Sequence, residues 1–126
     1  MQTNSLKQKL REGKAVYGAM VQFPDADLVE MLGHAGFDWI LIDAEHGTIN
    51  ENDCQHMVRA CELAHTTPIV RPPVNHAETI MRFLDSGAQG IQAPRVNTAE
   101  EARAVVDAVK YRSEEHTSEL QSRFGI

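Results

Sequence analysis

In the stretch FDWILIDAEHGTIN, Asp43, Glu45 and His46 crowd into four positions directly after a hydrophobic run and are followed by Gly47. Ser, Asn or Asp would suffice for a polar turn, so the choice of groups that exchange protons needs explaining. An imidazole beside a carboxylate is a base with its orienter: the carboxylate fixes the ring tautomer and stabilises the imidazolium that forms when the ring takes a proton. The plainer alternative is a loop whose carboxylates satisfy nearby backbone amides, because buried polar groups must be paired. Arg71, in TPIVRPP, is held by Pro72 and Pro73, which stiffen the backbone around it. Its planar fork suits a carboxylate or a keto or enolate oxygen; the alternative is a surface salt bridge. Arg95, in GIQAPRV, divides evenly between the two.

The remaining candidates are weaker. His34, His56, His65 and His76 lie on helices or loop edges and read as solvated or packing residues, since base chemistry needs a positioned partner. Cys54 and Cys61 are seven positions apart on an expected helix, where a disulfide is geometrically awkward, so a reduced pair in the cytoplasm is expected. Cys61 and His65 could share a helical face, but no second pair completes a four-ligand zinc site.

The elements that must position these residues can be read from periodicity. Leu6 and Leu10 make a short helix stopped by Gly13, and AVYGAMVQF (Ala15 to Phe23) reads as a strand. Pro24 and Asp25 open a helix with Leu28, Met31, Leu32 and Ala35 on one face, ended by Gly36. The strand WILID follows, then a helix capped by Asn50 or Asn52 with Cys54, Met57, Val58 and Cys61 as its apolar stripe. TPIVRPP is a third strand, and Asn75 with Glu78 resembles a capping box for a helix burying Ile80, Met81, Phe83 and Leu84 up to Gly87. GIQAPRV is a fourth strand. Thr98 and Glu101 cap a last helix carrying Ala102, Val105, Val106 and Val109.

The order is one helix and then four βα units, with short unalternated strands suited to a parallel sheet covered on its faces. A flavodoxin-like open sheet and part of a (β/α)₈ barrel both fit. Both place ligands at the carboxyl ends of strands, where Gln22, Asp43, Arg71 and Arg95 fall. No glycine-rich phosphate loop follows the first strand, where the chain reads QFPDAD, which lowers the dinucleotide-fold reading.

The chain has 126 residues, 42% hydrophobic and 24% charged, with a formal charge of −6: a soluble globular composition with no basic face for nucleic acid. The polar start MQTNSLKQKLREGK is unlike a signal peptide, and no apolar run approaches the roughly 18 residues of a membrane helix.

Taken together, GHAGFDWILIDAEHGTIN, PIVRPPVN and FLDSGAQGIQAPRVNTAEEARAVVDAVKY resemble the HpcH/HpaI aldolases, class II pyruvate aldolases that include 2,4-dihydroxyhept-2-ene-1,7-dioate aldolase. The resemblance covers nearly all of Leu6 to Tyr111. It implies a TIM (β/α)₈ barrel of the phosphoenolpyruvate/pyruvate type, of which about four βα units, the N-terminal half, are present here. The implied activity is carbon–carbon cleavage of a 4-hydroxy-2-keto acid to pyruvate and an aldehyde, in a homo-oligomer, with a divalent metal (Mg2+, Mn2+ or Co2+) as cofactor. By the same resemblance His46 is the catalytic base, Asp43 its dyad partner and Arg71 the binder of the keto or enolate oxygen, with Glu45 of the same loop in support; Arg95 is counted as supporting from its place at a strand end alone. The family's metal ligands follow its fifth and sixth strands, so none is expected within these residues.

A family barrel needs roughly 250 residues, so the expectation is an incomplete chain, inactive alone. The first domain is read as 1–111, and RSEEHTSELQSRFGI at 112–126, which carries no apolar stripe, as a non-native or disordered tail. A non-catalytic half-barrel or small binding domain is the alternative from another class, and a citrate-lyase-type lyase acting on an acyl-thioester is a third reading.

Overall fold

The computed structural model describes residues 3–124, with side chains through Tyr111. Four parallel strands, β1 (Gly18–Val21), β2 (Trp39–Asp43), β3 (Thr67–Arg71) and β4 (Gly90–Ile91), lie side by side in chain order. Helices α1 (Ser5–Arg11), α2 (Ala26–His34), α3 (Glu51–Leu63), α4 (Ala77–Asp85) and α5 (Ala99–Phe124) precede and separate them. A doubly wound open sheet reverses its strand order at a switch point. Here every crossover steps the same way, and right-handed crossovers that never reverse place their helices on one face of the sheet. In keeping with this, α2 packs on α3 and α4 on α5. The four βα units therefore have barrel topology.

Strand periodicity divides the side chains between two faces. Val21, Ile40, Ile42 and Val70 meet Val29, Cys54, Met57, Val58, Cys61 and Phe83 in a dry core between sheet and helices. Each such aliphatic or aromatic side chain contributes about 1.5–3 kcal/mol on burial. The alternate positions, Met20, Leu41, Asp43, Ile69 and Arg71, point to the other face, which becomes the interior when a barrel closes. α3 starts on a reciprocal cap: the Asn50 side chain accepts from the Asp53 amide while the Asp53 carboxylate accepts from the Asn50 amide. A Cβ on Gly33 would fall 2.5 Å from that of Ala64, so glycine lets α2 lie close against the end of α3.

Several local expectations are corrected. β1 is four residues long rather than the nine of Ala15 to Phe23, and β4 is two. Both are outer strands paired on one side only among the described residues, and β4 meets β3 only at Ile69 and Val70. Asn75 and Glu78 form no capping box: the N-cap of α4 is His76, without a side-chain bond, and the Asn75 amide instead reaches the carbonyl of Arg95. At α5, Thr98 Oγ1 accepts from the Glu101 amide as expected, but the Glu101 carboxylate accepts from Asn97. In α2 the buried residues are Val29 and Gly33, while Met31 stands 68% exposed. The backbone of α5 continues unbroken past Tyr111 to Phe124; what the side chains of the expected tail at 112–126 do lies outside the described residues.

Candidate active site at the carboxyl ends of the strands

The register of the sheet builds the site. Asp43 and Arg71 are the final residues of β2 and β3 and are direct neighbours across the ladder, so both side chains leave the same face at the same height. The guanidinium closes on the carboxylate as a fork, Nε to Oδ1 at 3.0 Å and Nη2 to Oδ2 at 2.6 Å. Oδ1 also accepts the backbone amides of Glu45 (3.0 Å) and His46 (3.2 Å), and Oδ2 accepts Gln22 Nε2 at 3.2 Å. Asp43 is fully buried, which opposes ionisation. The Arg71 fork is the larger influence, and with the Gln22, Glu45 and His46 donors it holds this carboxyl far below the usual carboxylate range, the behaviour of a carboxylate given several donors.

The same carboxylate folds the loop after β2 by accepting amides two and three residues on, an Asx turn. Gly47 completes it by close approach: a Cβ there would lie 2.2 Å from the carbonyl oxygen of Gln22 and 2.3 Å from that of Asp43. The Thr48 amide then donates to the Gln22 carbonyl, tying the loop to the end of β1. Gln22 thus holds the loop through both its main chain and its side chain. Its sequence signal is its place as the polar residue that follows β1, at the same end as Asp43.

Glu45 is the second hub. Its side chain is 8% exposed, with Oε1 3.1 Å from His46 Nε2 and 3.7 Å from Arg71 Nε, and Oε2 3.2 Å from Arg95 Nε. Arg95 reaches it from beyond β4 with a backbone φ of 52°, a left-handed conformation uncommon outside glycine. The sequence-selected residues Asp43, Glu45, His46, Arg71 and Arg95 are therefore brought together at one end of the sheet.

One expected contact is not made. The Asp43 carboxylate meets His46 through the backbone amide, and the carboxylate beside the ring is that of Glu45. The bidentate, charge-assisted Arg71 fork is the stronger partner for Asp43, and the Asx turn carries the His46 ring outward, where its side chain is 64% exposed.

The other sequence candidates play local parts. His34 pairs with Glu30 one helical turn away. Cys54 and Cys61 are free and buried, and burial pushes their thiols up to about 11 and about 12, the opposite of an activated cysteine.

The divalent metal implied by the resemblance needs several oxygen ligands. Asp43 and Glu45, the two carboxylates of the site, already face arginines, and no group of three His, Cys, Asp or Glu side chains is placed to hold an ion among the described residues. These residues by themselves do not fit the cofactor. No helix among them is long and apolar enough to cross a membrane.

Comparison with known proteins agrees with the strand topology. The chain is 38% identical over 108 residues to a hydroxypyruvate/pyruvate aldolase of Roseobacter denitrificans, a match covering 86% of this chain and 42% of that one. An HpcH/HpaI aldolase/citrate lyase family protein of Burkholderia cenocepacia superposes with a TM-score of 0.77 at 36% identity, over 84% of this chain and 42% of that one. A citrate synthase, SbnG, superposes at 0.73 with 40% identity, over 78% and 40%. The chain thus spans about two fifths of the length of the relatives it matches, and its four βα units correspond to part of their TIM-like barrel. The sequence pattern of the HpcH/HpaI aldolase/citrate lyase family matches residues 18–123, more than half the sequence, and the chain belongs to that family.

Proposed function

We propose that this chain supplies the proton-transfer and keto-acid-binding residues of an aldolase that cleaves a 4-hydroxy-2-keto acid to pyruvate and an aldehyde. The observation that carries the reading is the Asp43–Arg71 fork beside an accessible imidazole, at the strand ends where barrel enzymes hold their chemistry. Two of the five guanidinium N–H donors bind Asp43, which fixes the plane of the fork and leaves others for a substrate oxygen. His46 removes the proton of the C4 hydroxyl. The C3–C4 bond breaks, C4 leaves as the aldehyde, and the bonding pair passes to the enolate of pyruvate. Arg71 stabilises the negative charge on the enolate oxygen as it develops, and the His46 imidazolium returns its proton to C3.

Class II character belongs to the same proposal: a divalent cation such as Mg2+, Mn2+ or Co2+, if held by residues outside those described, would supply Lewis-acid stabilisation of the ketone.

The test is a chimera in which residues 18–111 replace the matching stretch of the Roseobacter denitrificans aldolase, assayed for pyruvate release with manganese present and after chelation. Manganese-dependent release is expected. A folded chimera without it would instead support a non-catalytic binding domain. The likeness to a citrate synthase favours one further reading, carbon–carbon chemistry on a citrate-type substrate, which the same chimera tests with citrate in place of the keto acid.

A further inference from the structure

We propose that Gln92 binds the C1 carboxylate of the keto acid, beside the ketone oxygen held by Arg71. This deepens the aldolase reading above and rests on it for the identity of the substrate. Gln92 follows β4, and its backbone amide donates to the Val70 carbonyl at 2.9 Å. The register that pairs Ile69 with Gly90 and Val70 with Ile91 sets Gln92, the next residue, level with Arg71. Ile91 packs against the core between sheet and helices, so alternation turns Gln92 to the opposite face, the one that bears Asp43 and Arg71. The other edge of the sheet shows that this row outlasts the strands. Val21 pairs with Ile42, and Gln22, one step on, reaches Asp43 Oδ2 with its side-chain amide at 3.2 Å.

Gln22, Asp43, Arg71 and Gln92 therefore form one polar row across the carboxyl ends of the four strands. Asp43 joins the first three through the Gln22 amide and the Arg71 fork. The Gln92 side chain is exposed and makes no hydrogen bond among the described residues, so both N–H donors of its amide are available. The order of the row matches the order of the substrate. In the proposed cleavage His46, after β2, takes the C4 hydroxyl proton, and Arg71, at the end of β3, faces the oxygen on C2. One strand further in the same direction, about 4.8 Å away, the C1 carboxylate comes to lie at the end of β4. A carboxylate can only accept, and Gln92 Nε2 can donate to it.

The test uses the chimera, whose grafted residues 18–111 include Gln92, with pyruvate and methyl pyruvate as probes bound at equilibrium in a calorimeter with manganese present. Gln92→Leu removes the donors at similar volume and, at an exposed position, should leave thermal unfolding unchanged. It should weaken pyruvate binding about tenfold, the worth of one hydrogen bond to a charged group. Methyl pyruvate, whose ester lacks the charge, should lose less. In turnover, KM for the 4-hydroxy-2-keto acid should rise by a similar factor with little change in kcat. Gln92→Glu sets one carboxylate against another and should weaken pyruvate binding further. An unchanged affinity in Gln92→Leu would overturn the assignment. Equal losses for acid and ester would also overturn it, because Gln92 would then act through Arg71. If pyruvate binding depends on Gln92 as stated but the chimera releases no pyruvate, the aldolase reading fails alone. If pyruvate is released while both variants bind it as the parent does, the carboxylate role of Gln92 fails alone.

Discussion

Arg71 shows how a single side chain joins structure to chemistry. Its charge could be supplied by lysine, but its two parallel bonds to Asp43 could not. In the active chimera, Arg71→Lys should reduce kcat/KM for the keto acid by about tenfold to a hundredfold, the loss expected when one oriented donor is removed. Manganese affinity should change little, and a collapse of metal affinity with normal keto-acid kinetics would make Arg71 structural. Asp43 carries a stability consequence of the same fork. Its folded-state value is depressed, chiefly by Arg71, so its stabilisation is present above the unfolded carboxyl value near 4 and is lost as pH falls through the folded value. Between about pH 5 and pH 3 the urea midpoint of the wild type should fall more steeply than that of Asp43→Asn, because the unfolded wild type binds the extra proton in this window. Equal slopes would show that Asp43 titrates alike in both states.

At the scale of elements, the loop after β2 depends on the absence of a side chain at Gly47. Placing Ala there sets a Cβ against the carbonyls of Gln22 and Asp43, both fixed by strand ends. The variant should lose about 1–3 kcal/mol, the usual cost of forcing volume into packed structure, and pull His46 out of place. Unchanged denaturation and unchanged activity would mean the loop shifts freely.

The elements also show what the sequence made legible. β2 was readable to the residue because a buried strand is a continuous apolar run with a polar end, and Asn50 was among the caps proposed for α3. That a carboxylate, an imidazole and a guanidinium come together at one end of the sheet was readable because all fell at or just after strand ends. Their pairing was not, since the partners Asp43 and Arg71 are 28 positions apart and meet only through the sheet register. The same holds for Gln22, and for Asn75, whose apparent capping pattern is overridden by the Arg95 carbonyl. Met31 misled because its 3.6-residue spacing fits the α2 stripe, while the helix turns Val29 and Gly33 inward.

For the whole molecule, the described sheet has two outer edges, β1 and β4, and a face on which Met20 is 53% exposed. Unpaired edges invite association, and exposed apolar surface does the same. The 126-residue chain by itself should therefore elute from size exclusion as an associated species, and it should release little or no pyruvate with added manganese because its described residues hold no metal site. A well-behaved monomer with robust turnover would show that these residues assemble a complete centre.

The central claim is that His46 is the base of an aldol cleavage, and the most direct measurement is pyruvate release from a 4-hydroxy-2-keto acid by the chimera with and without His46→Ala. A folded variant should be slower by about two to four orders of magnitude, the worth of a positioned general base. Turnover equal to that of the unsubstituted chimera would contradict the account.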